Sequence, residues 1–248
     1  MKTLVGVNTL ESVNSFVYSS HCKLWVEMKR DFPDDEFIFY TPYRMSIDNM
    51  RNDCAKVAMV HKCDYLMFID DDVIVKPNTY TSLRTADKDI ILALTYVRGY
   101  PFHPMFFKDF GPDVHNPVNG KTRKNLTFHD SYPEEIDEAG LVKTGAVGFS
   151  CVLIKVDVIR AMSPPYFVTG PGHTEDVYFC LKARAELEPE PSIYVDTKVS
   201  TGHLLMPDAV SDENVSKLRE FYKPEFDEKD AIKFRMKAHI ESVMQEMT

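Results

Sequence analysis

Short apolar runs and helical segments alternate over the first hundred residues of the chain. The apolar runs occupy 3–8, 36–40, 64–69 and 89–96, and the segments with helical spacing occupy 12–30, 46–61 and 76–86. The run at 64–69 (DYLMFI) is continuous rather than alternating, which is typical of a strand that is buried on both faces. This alternation predicts an α/β domain with a Rossmann-type, mostly parallel central sheet flanked by helices.

The regular pattern ends at about residue 98. Residues 98–140 are rich in Pro, Gly, Asn and aromatic residues without a sustained period, and they predict a long loop of the kind that is usually functional or mobile. After this loop, the sequence predicts a strand, a glycine turn, a second strand and a short helix over 140–162. A helix from about Thr174 to Leu187 and a strand at 192–197 follow.

The C-terminal residues 212–248 are mixed in charge and have helical periodicity. One face of the predicted helix carries Ile232, Met236, Ile240, Val243 and Met247, at spacings of four, four, three and four residues. An apolar stripe of this kind packs on the body of a protein or on a second subunit. We therefore expect a C-terminal helical tail, with a homodimer through this helix as one alternative.

Composition and charge exclude several classes of protein. The 248 residues are 44% hydrophobic, and their net charge of −9 disfavours a general binder of duplex DNA. The five cysteines are widely spaced and odd in number, which argues against a disulfide framework or a structural zinc site and favours a reducing compartment. The N-terminus does not read as a signal peptide and no segment reads as a membrane span, so we expect a cytoplasmic protein.

Three consecutive aspartates follow the buried run at 64–69. Asp70, Asp71 and Asp72 stand where this strand is predicted to end, and ligands of open α/β sheets bind beyond the carboxyl ends of the strands. Adjacent carboxylates repel each other, and removing them from water is costly unless a cation compensates. Because Mg²⁺ and Mn²⁺ prefer carboxylate oxygens, the triplet predicts a divalent-cation site. An acidic turn that faces water is the alternative.

Two further clusters are candidates for the same site. Glu175 and Asp176 open the predicted helix at 174–187, where acidic residues also occur because they favour the helix dipole. His203 follows the strand at 192–197 and is a suitable Mn²⁺ ligand beside carboxylates. A lone histidine in this position is more often an ordinary surface or core residue, so neither cluster is decisive alone.

The order of these features resembles the nucleotide-sugar glycosyltransferases of the GT-A fold. The resemblance rests on five segments, DNMRNDCAKVAM, DYLMFIDDDVIVKP, TGAVGFSCVLIKVDVI, TEDVYFCLKAR and IYVDTKVSTGHL, which span about residues 46–204. The chain is most similar to the small family-2-like enzymes of bacteria and their phages, which would place it in the host cytoplasm if a phage encodes it. The resemblance implies transfer of a sugar from a nucleotide-diphosphate donor to a hydroxyl acceptor.

The resemblance also implies a metal site. Asp70 and Asp72 would form the D-x-D pair, in which Asp72 binds Mn²⁺ or Mg²⁺ directly and Asp70 reaches the ribose or the water shell of the metal. Asp71 would add local negative charge next to the donor. His203 would complete the metal site together with Asp70 and Asp72. The metal would bridge the two phosphates of the donor and stabilise the leaving diphosphate.

Further donor contacts follow from the same resemblance. Arg51 would lie near the nucleotide, and Thr9 is suggested there because it follows the first strand, although Asn8-Thr9 departs from the usual pattern of the family. Small residues would lie under the donor sugar, where absent side chains let a ligand approach the backbone. These residues are Gly145, Ala146 and Gly148.

Asp176 and Glu175 are the catalytic residues that the resemblance implies. Asp176 would take the proton from the attacking hydroxyl, and Glu175 would orient the acceptor or the base. A single displacement would invert the anomeric configuration, and a retaining route stays open if Asp176 lies on the wrong face. The domain would comprise 1–210, with a nucleotide-binding half at about 1–98 and an acceptor half at about 99–210, followed by the helical extension 211–248.

The acceptor and the class of activity each have alternatives. The acceptor would be a glycan or a hydroxymethylated base in phage DNA, whose phosphates the basic stretch 120–129 (GKTRKNLTFH) could contact. A haloacid-dehalogenase-like phosphatase also uses D-x-D after an apolar strand. A catalytically dead protein that binds nucleotide sugars or carbohydrates is the non-enzymatic alternative.

Overall fold

The structure is a computed structural model that describes residues 1–10, 12–115, 122–128, 136–205 and 208–223. The elements before residue 98 are β1 (Lys2–Asn8), α1 (Ser15–Asp31), β2 (Glu36–Tyr40), α2 (Ile47–Val60), β3 (Tyr65–Asp70), β4 (Val73–Ile74), α3 (Thr79–Thr85) and β5 (Ile90–Leu94). The later elements are β6 (Phe106–His115), β7 (Thr122–Phe128), β8 (Leu141–Lys143), β9 (Ala146–Val147), β10 (Cys151–Lys155), α4 (Val156–Ala161), α5 (Glu175–Glu186), β11 (Ile193–Ser200), β12 (Gly202–Leu205) and β13 (Asp208–Val210).

Seven of the described strands form the central sheet, in the order β2-β1-β3-β10-β5-β11-β8. β1 pairs in parallel with β2 and β3, and β5 pairs in parallel with β11. β10 is antiparallel to both of its neighbours, and the edge strand β8 is antiparallel to β11. Strands β1, β2, β3, β5 and β11 therefore point one way, which confirms the predicted mostly parallel sheet flanked by helices.

The central strand β3 is buried on both faces, as its continuous apolar sequence predicts. Leu66 and Phe68 pack on one side of the sheet in a cluster that includes Cys54 of α2. Met67 and Ile69 point to the other side and pack in a second cluster with α1. All four side chains of β3 are fully buried, and burying each such side chain stabilises the fold by roughly 1.5–3 kcal/mol.

The prediction of one long loop at 98–140 is wrong. β6 and β7 within this range form an antiparallel hairpin, and β6 also pairs with β9. The register shifts between Phe110 and Asp113, where Gly111 and Pro112 interrupt the strand. Glycine and proline weaken a strand pattern because proline lacks the amide hydrogen of the ladder, and this interruption conceals β6 in the sequence. Residues 116–121 and 129–135 lie outside the described ranges.

The remaining predicted elements agree well with the structure. The helix predicted from about Thr174 to Leu187 is α5, and the predicted strand at 192–197 is β11. The segment 140–162 contains three short strands and a helix rather than two strands and a helix. Residues 215–223 are helical, whereas the apolar face predicted for 232–247 lies outside the described residues. No helix in the described part of the chain is long and apolar enough to cross a membrane.

Candidate active site

The aspartate triplet lies at the carboxyl edge of the central sheet, beside an open cleft. Asp70 is the last residue of β3 and is in register with Asn8, the last residue of β1. The cleft has a volume of about 460 Å³. Its lining consists of Asn8, Leu10, Met45, Ser46, Ile47, Met50, Asp70, Asp71 and Asp72. The fold therefore places the three carboxylates where ligands of α/β sheets bind.

His203 faces Asp72 across the paired strands β4 and β12. His203 is opposite Val73 in the ladder, and the Leu204 N–H donates to the Asp72 carbonyl at 2.9 Å. The imidazole Nδ1 lies 2.8 Å from the carbonyl oxygen of Tyr96, so this nitrogen carries a proton and donates it. Nε2 is directed at Asp72 Oδ2, 3.5 Å away. When Nε2 carries a proton it can donate to this carboxylate, and when the imidazole is neutral its Nε2 lone pair is available to a cation.

A carboxylate and an imidazole held in this way fit a divalent cation such as Mn²⁺. The hydrogen bond of Nδ1 to a carbonyl is the usual way in which a protein orients a metal-binding histidine. Among the residues that the structure describes, no three His, Cys, Asp or Glu side chains are grouped around one metal position. Further oxygen ligands would therefore come from a substrate or from water, as is common for Mg²⁺ and related ions.

The three carboxylates differ in their electrostatic surroundings. Burial raises the pKa of Asp70 to about 6, and burial likewise raises the pKa of Asp71. Burial opposes ionisation of Asp72 as well, but the hydrogen bond and charge of His203 outweigh it, together with the charge of Arg98, and lower the pKa of Asp72. The positive charges of Arg98 and of a protonated His203 thus favour the ionised form of Asp72.

Arg51 belongs to α2 and is buried, with its side chain 3% exposed. Its Nε donates to Glu175 Oε1 at 3.0 Å, its Nη1 to the Phe149 carbonyl at 3.1 Å, and its Nη2 to Asp70 Oδ1 at 3.2 Å. The guanidinium carbon also lies 5.0 Å from the centre of the Phe68 ring. All three nitrogens are thus bonded to protein acceptors. This geometry assigns Arg51 to positioning Asp70 and Glu175, rather than to the nucleotide contact that the resemblance implies.

Glu175 and Asp176 are adjacent in α5 but have different surroundings. Glu175 is 6% exposed and its carboxylate is bonded to Arg51, so it is not directed at an acceptor as the resemblance implies. Asp176 is half-buried. Its Oδ2 accepts the Phe149 N–H at 3.3 Å, and its Oδ1 accepts from the hydroxyl of Thr174. Of the two residues, Asp176 is the one that a substrate could reach.

The segment from Gly145 to Gly148 lies inside the protein. The Gly145 N–H donates to the Phe107 carbonyl at 2.8 Å, and the Gly148 N–H donates to the Met105 carbonyl at 2.7 Å. A Cβ at position 148 would lie 2.6 Å from the Met105 Cε, and Ala146 is fully buried. The missing side chain at position 148 therefore admits Met105. Packing inside the protein is therefore sufficient to explain the small residues in this segment, and a donor sugar is not needed to explain them.

Thr9 and Asn8 lie at the end of β1, beside the triplet. Thr9 is 7% exposed, and its hydrogen bond to Asp71 partly offsets the increase in the pKa of that carboxyl group. Asn8 is 4% exposed, and its Nδ2 has no hydrogen-bond acceptor among the described residues. A buried amide without a partner beside a cleft is a candidate donor to a ligand.

Sequence reasoning overlooked two residues of this site. The sequence predicts no role for Asn8, although a polar residue at the end of a buried strand is itself a signal. It predicts no role for Arg98 either. Its Nη1 lies 2.8 Å from Asp72 Oδ2, and its position just beyond the apolar run of β5 would have been the available signal.

Comparison with solved structures identifies the architecture. A197 from STIV matches with a TM-score of 0.51 and 16% sequence identity, over 83% of this chain and 86% of that chain. GalNAc-T7, in a crystal structure with UDP, GalNAc and Mn2+, matches with a TM-score of 0.50 and 12% identity, over 82% of this chain. The chain has a GT-A-like fold. It spans only 44% of the GalNAc-T7 chain, and no known protein family or curated protein sequence matches it.

The GT-A-like fold gives the site its location but not its chemistry. At such low identities a structural match shows the architecture alone, because one fold can carry many activities. The chemistry has to be argued from the side chains at the carboxyl edge, where Asp72 and His203 face each other and Asp176 begins α5.

Proposed function

We propose that the protein is a metal-dependent glycosyltransferase that moves a sugar from a nucleotide-diphosphate donor to a hydroxyl acceptor. The observation that carries this proposal is the pairing of Asp72 Oδ2 with the Nε2 of His203, whose Nδ1 is fixed by the Tyr96 carbonyl. The pair lies beside an open cleft at the carboxyl edge. The printed ligands of GalNAc-T7, which shares the GT-A-like fold, support a metal ion and a nucleotide sugar as the ligands to test.

The donor would bind along the cleft between the ends of β1 and β3. Asp72 and His203 would hold Mn²⁺ or Mg²⁺, which supplies positive charge next to the diphosphate that leaves in the reaction. Asn8 would donate its free Nδ2–H to the nucleotide, while Leu10 and Met45 offer apolar surface for a base. Asp70 would contact the ribose while its carboxylate remains bonded to Arg51.

Asp176 is the proposed general base. It would accept the proton of the acceptor hydroxyl as that oxygen forms its bond to the anomeric carbon and the donor diphosphate leaves. The Phe149 N–H fixes the carboxylate, and the Phe149 carbonyl is in turn bonded to Arg51. This chain of contacts holds the base in a constant orientation relative to Asp70. One such displacement would invert the anomeric configuration.

The acceptor remains a prediction from the sequence. A glycan is the first candidate, and a hydroxymethylated base in DNA is the second. The basic sequence that suggested contact with phosphates falls mainly on β7, and its ends at 120–121 and 129 lie outside the described residues. Strong dependence of the transfer rate on salt concentration would favour the DNA acceptor.

A donor screen tests the proposal directly. Thermal unfolding is measured with UDP-, GDP-, CMP- and dTDP-sugars, with and without Mn²⁺. A cognate donor at a hundredfold excess over its Kd should stabilise the protein by about 2.7 kcal/mol, and only when the metal is present. Asp72→Asn and His203→Ala should remove the part of the stabilisation that depends on Mn²⁺. The absence of metal-dependent stabilisation by every donor would refute the proposal.

Asp176→Asn separates binding from catalysis. The variant should bind metal and donor as the wild type does, and it should lose transfer to acceptors and hydrolysis of the donor by at least about a hundredfold, since general bases contribute 10²–10⁴-fold. The matched change Asp157→Asn, at a side chain that is 85% exposed, should leave the rates unchanged. Wild type without any turnover would favour the binding protein, and release of phosphate without a sugar donor would favour the phosphatase.

A further inference from the structure

Arg98 lies in the short segment between β5 and β6, and its side chain contacts Asp72 of the cleft. Backbone hydrogen bonds close this segment at both ends: the Val97 N–H donates to the His103 carbonyl at 2.9 Å, and the Met105 N–H donates to the Thr95 carbonyl at 2.8 Å. Phe102 within the segment is 1% exposed and anchors it to the core. The backbone around Arg98 is thus tied down, while its side chain is 53% exposed.

The guanidinium of Arg98 forms an ion pair with the same Asp72 oxygen that faces His203. Arg98 Nη1 is 2.8 Å from Asp72 Oδ2, and the same oxygen is 3.5 Å from His203 Nε2. A cation bound between Asp72 and His203 would coordinate this oxygen, because it is the one directed at Nε2. Arg98 and a divalent ion therefore compete for one carboxylate atom.

The charges in the cleft favour the divalent ion in this competition. An ion pair with a half-exposed arginine contributes little because water and salt screen it. The cleft brings three carboxylates together, so its field favours the ion with the higher charge. The displaced guanidinium would remain beside the cleft, with a planar set of donors that matches the oxygens of a phosphate.

We propose that Arg98 is an exchangeable cation, which pairs with Asp72 in the metal-free protein and binds the diphosphate of the donor once a metal ion occupies Asp72 and His203. This inference rests on the proposed function, because it requires a diphosphate ligand. Arg51 cannot take this part, since its three nitrogens are bonded inside the protein. Arg44, which lines the adjoining part of the cleft with Asp71, is the other arginine to compare.

The proposal predicts opposite effects of one substitution on two ligands. In Arg98→Gln, Mn²⁺ alone should bind about two- to fivefold more tightly, because a competing surface charge is removed. In the presence of saturating Mn²⁺, UDP or GDP should bind about tenfold more weakly, because a charge-assisted hydrogen bond to phosphate is lost. Arg98→Lys should bind both ligands with affinities closer to those of the wild type, since the positive charge is retained.

Free Mn²⁺ measured by electron paramagnetic resonance and nucleotide binding measured by calorimetry provide the two readouts. Arg30→Gln is the matched control, since Arg30 is 66% exposed and paired with acidic neighbours on α1, and it should change neither affinity. Arg44→Gln should leave the affinity for Mn²⁺ alone unchanged. Equal weakening of both ligands in Arg98→Gln, or no change in either, would overturn the inference while leaving the proposed function intact. Wild type that binds neither Mn²⁺ nor nucleotide would overturn both.

Discussion

At the scale of single residues, Arg51 is the residue of the site whose loss should destabilise the fold most, because it bonds Asp70, Glu175 and the Phe149 carbonyl. Replacement by alanine would leave Asp70 and Glu175 without their buried counter-charge, and breaking a buried pair costs about 3–5 kcal/mol. We expect this loss in the free energy of unfolding measured in urea. Arg51→Lys keeps the charge but not the planar set of donors, so its loss should be intermediate.

Arg160 provides the comparison for Arg51. Its side chain is 41% exposed, pairs with Asp157 and donates from Nη2 to the Cys63 carbonyl at 2.7 Å, so Arg160→Ala should cost only about 1 kcal/mol. Similar losses for the alanine variants of Arg51 and Arg160 would contradict the importance that the structure gives to the buried arginine.

Ionisation of Asp70 should lower the free energy of unfolding as the pH rises, which is the opposite of the usual effect of a carboxylate. Its pKa is raised from 3.8 to about 6 in the folded chain, so the stability associated with its protonated form is complete below pH 4 and is lost as the pH rises through about 6. The free energy of unfolding of the wild type minus that of Asp70→Asn should therefore fall by about 2 kcal/mol between pH 4.5 and pH 7.

Asp89 gives the opposite behaviour for comparison. Burial opposes its ionisation, but hydrogen bonds from Ser192 and the charge of Lys155 outweigh burial and lower the pKa of Asp89. Its contribution is present above pH 4 and is lost only as the pH falls further, so the corresponding difference for Asp89→Asn should not fall between pH 4.5 and pH 7. A constant difference for Asp70→Asn over the same range would show that the pKa of this partly buried carboxylate is not raised.

The sequence predicts the location of the aspartates and His203 at one edge of the sheet, but it cannot predict the buried partners of Arg51. Strand ends follow from the lengths of apolar runs, so polar residues at those ends can be assigned to one edge of the sheet. Arg51 is 124 positions away from Glu175, and a helical arginine has the same local pattern whether it faces water or a buried carboxylate. Gly148 is similarly ambiguous, because a glycine that admits Met105 looks like one that admits a ligand.

At the scale of secondary-structure elements, the helix at 215–223 holds the segment that carries Arg98. Arg219 donates from Nε to the Pro101 carbonyl at 2.7 Å and from Nη2 to the Phe102 carbonyl at 2.8 Å. We expect Arg219→Gln to speed hydrogen exchange at the amides of Val97 and Met105, which close this segment. Lys217→Gln, an exposed change on the same helix, should leave these rates unchanged, and equal acceleration by both variants would argue against a specific clamp.

The pairing that the sequence does not predict is the pairing that distant residues set. The apolar sequence of β10 predicts a strand but not its direction, and β10 lies antiparallel between β3 and β5. β6 and β7 pair as a hairpin although Gly111 and Pro112 interrupt the strand pattern. Strand direction and neighbours depend on the path of the chain between strands, which the local pattern of hydrophobic residues does not record.

At the scale of the whole molecule, the two halves predicted from the sequence, 1–98 and 99–210, share one sheet. β10 comes from the second half and separates β3 from β5, which both belong to the first half. Without β10, the apolar strands β3 and β5 would each lose a neighbour and expose their edges. The predicted domain at 1–210 should therefore unfold as one cooperative unit, and a fragment of residues 1–98 should not fold alone.

Two native reporters can test this cooperativity without adding a label to the folded protein. Trp25 is the only tryptophan and belongs to α1 in the first half, and Cys180 is a fully buried thiol of α5 in the second half. In urea, the midpoint from Trp25 fluorescence should coincide with the midpoint from pulsed thiol labelling of Cys180, read by mass spectrometry. Separate midpoints, or a fragment 1–98 with a cooperative transition of its own, would show that the two halves are independent domains, despite the strand that joins them.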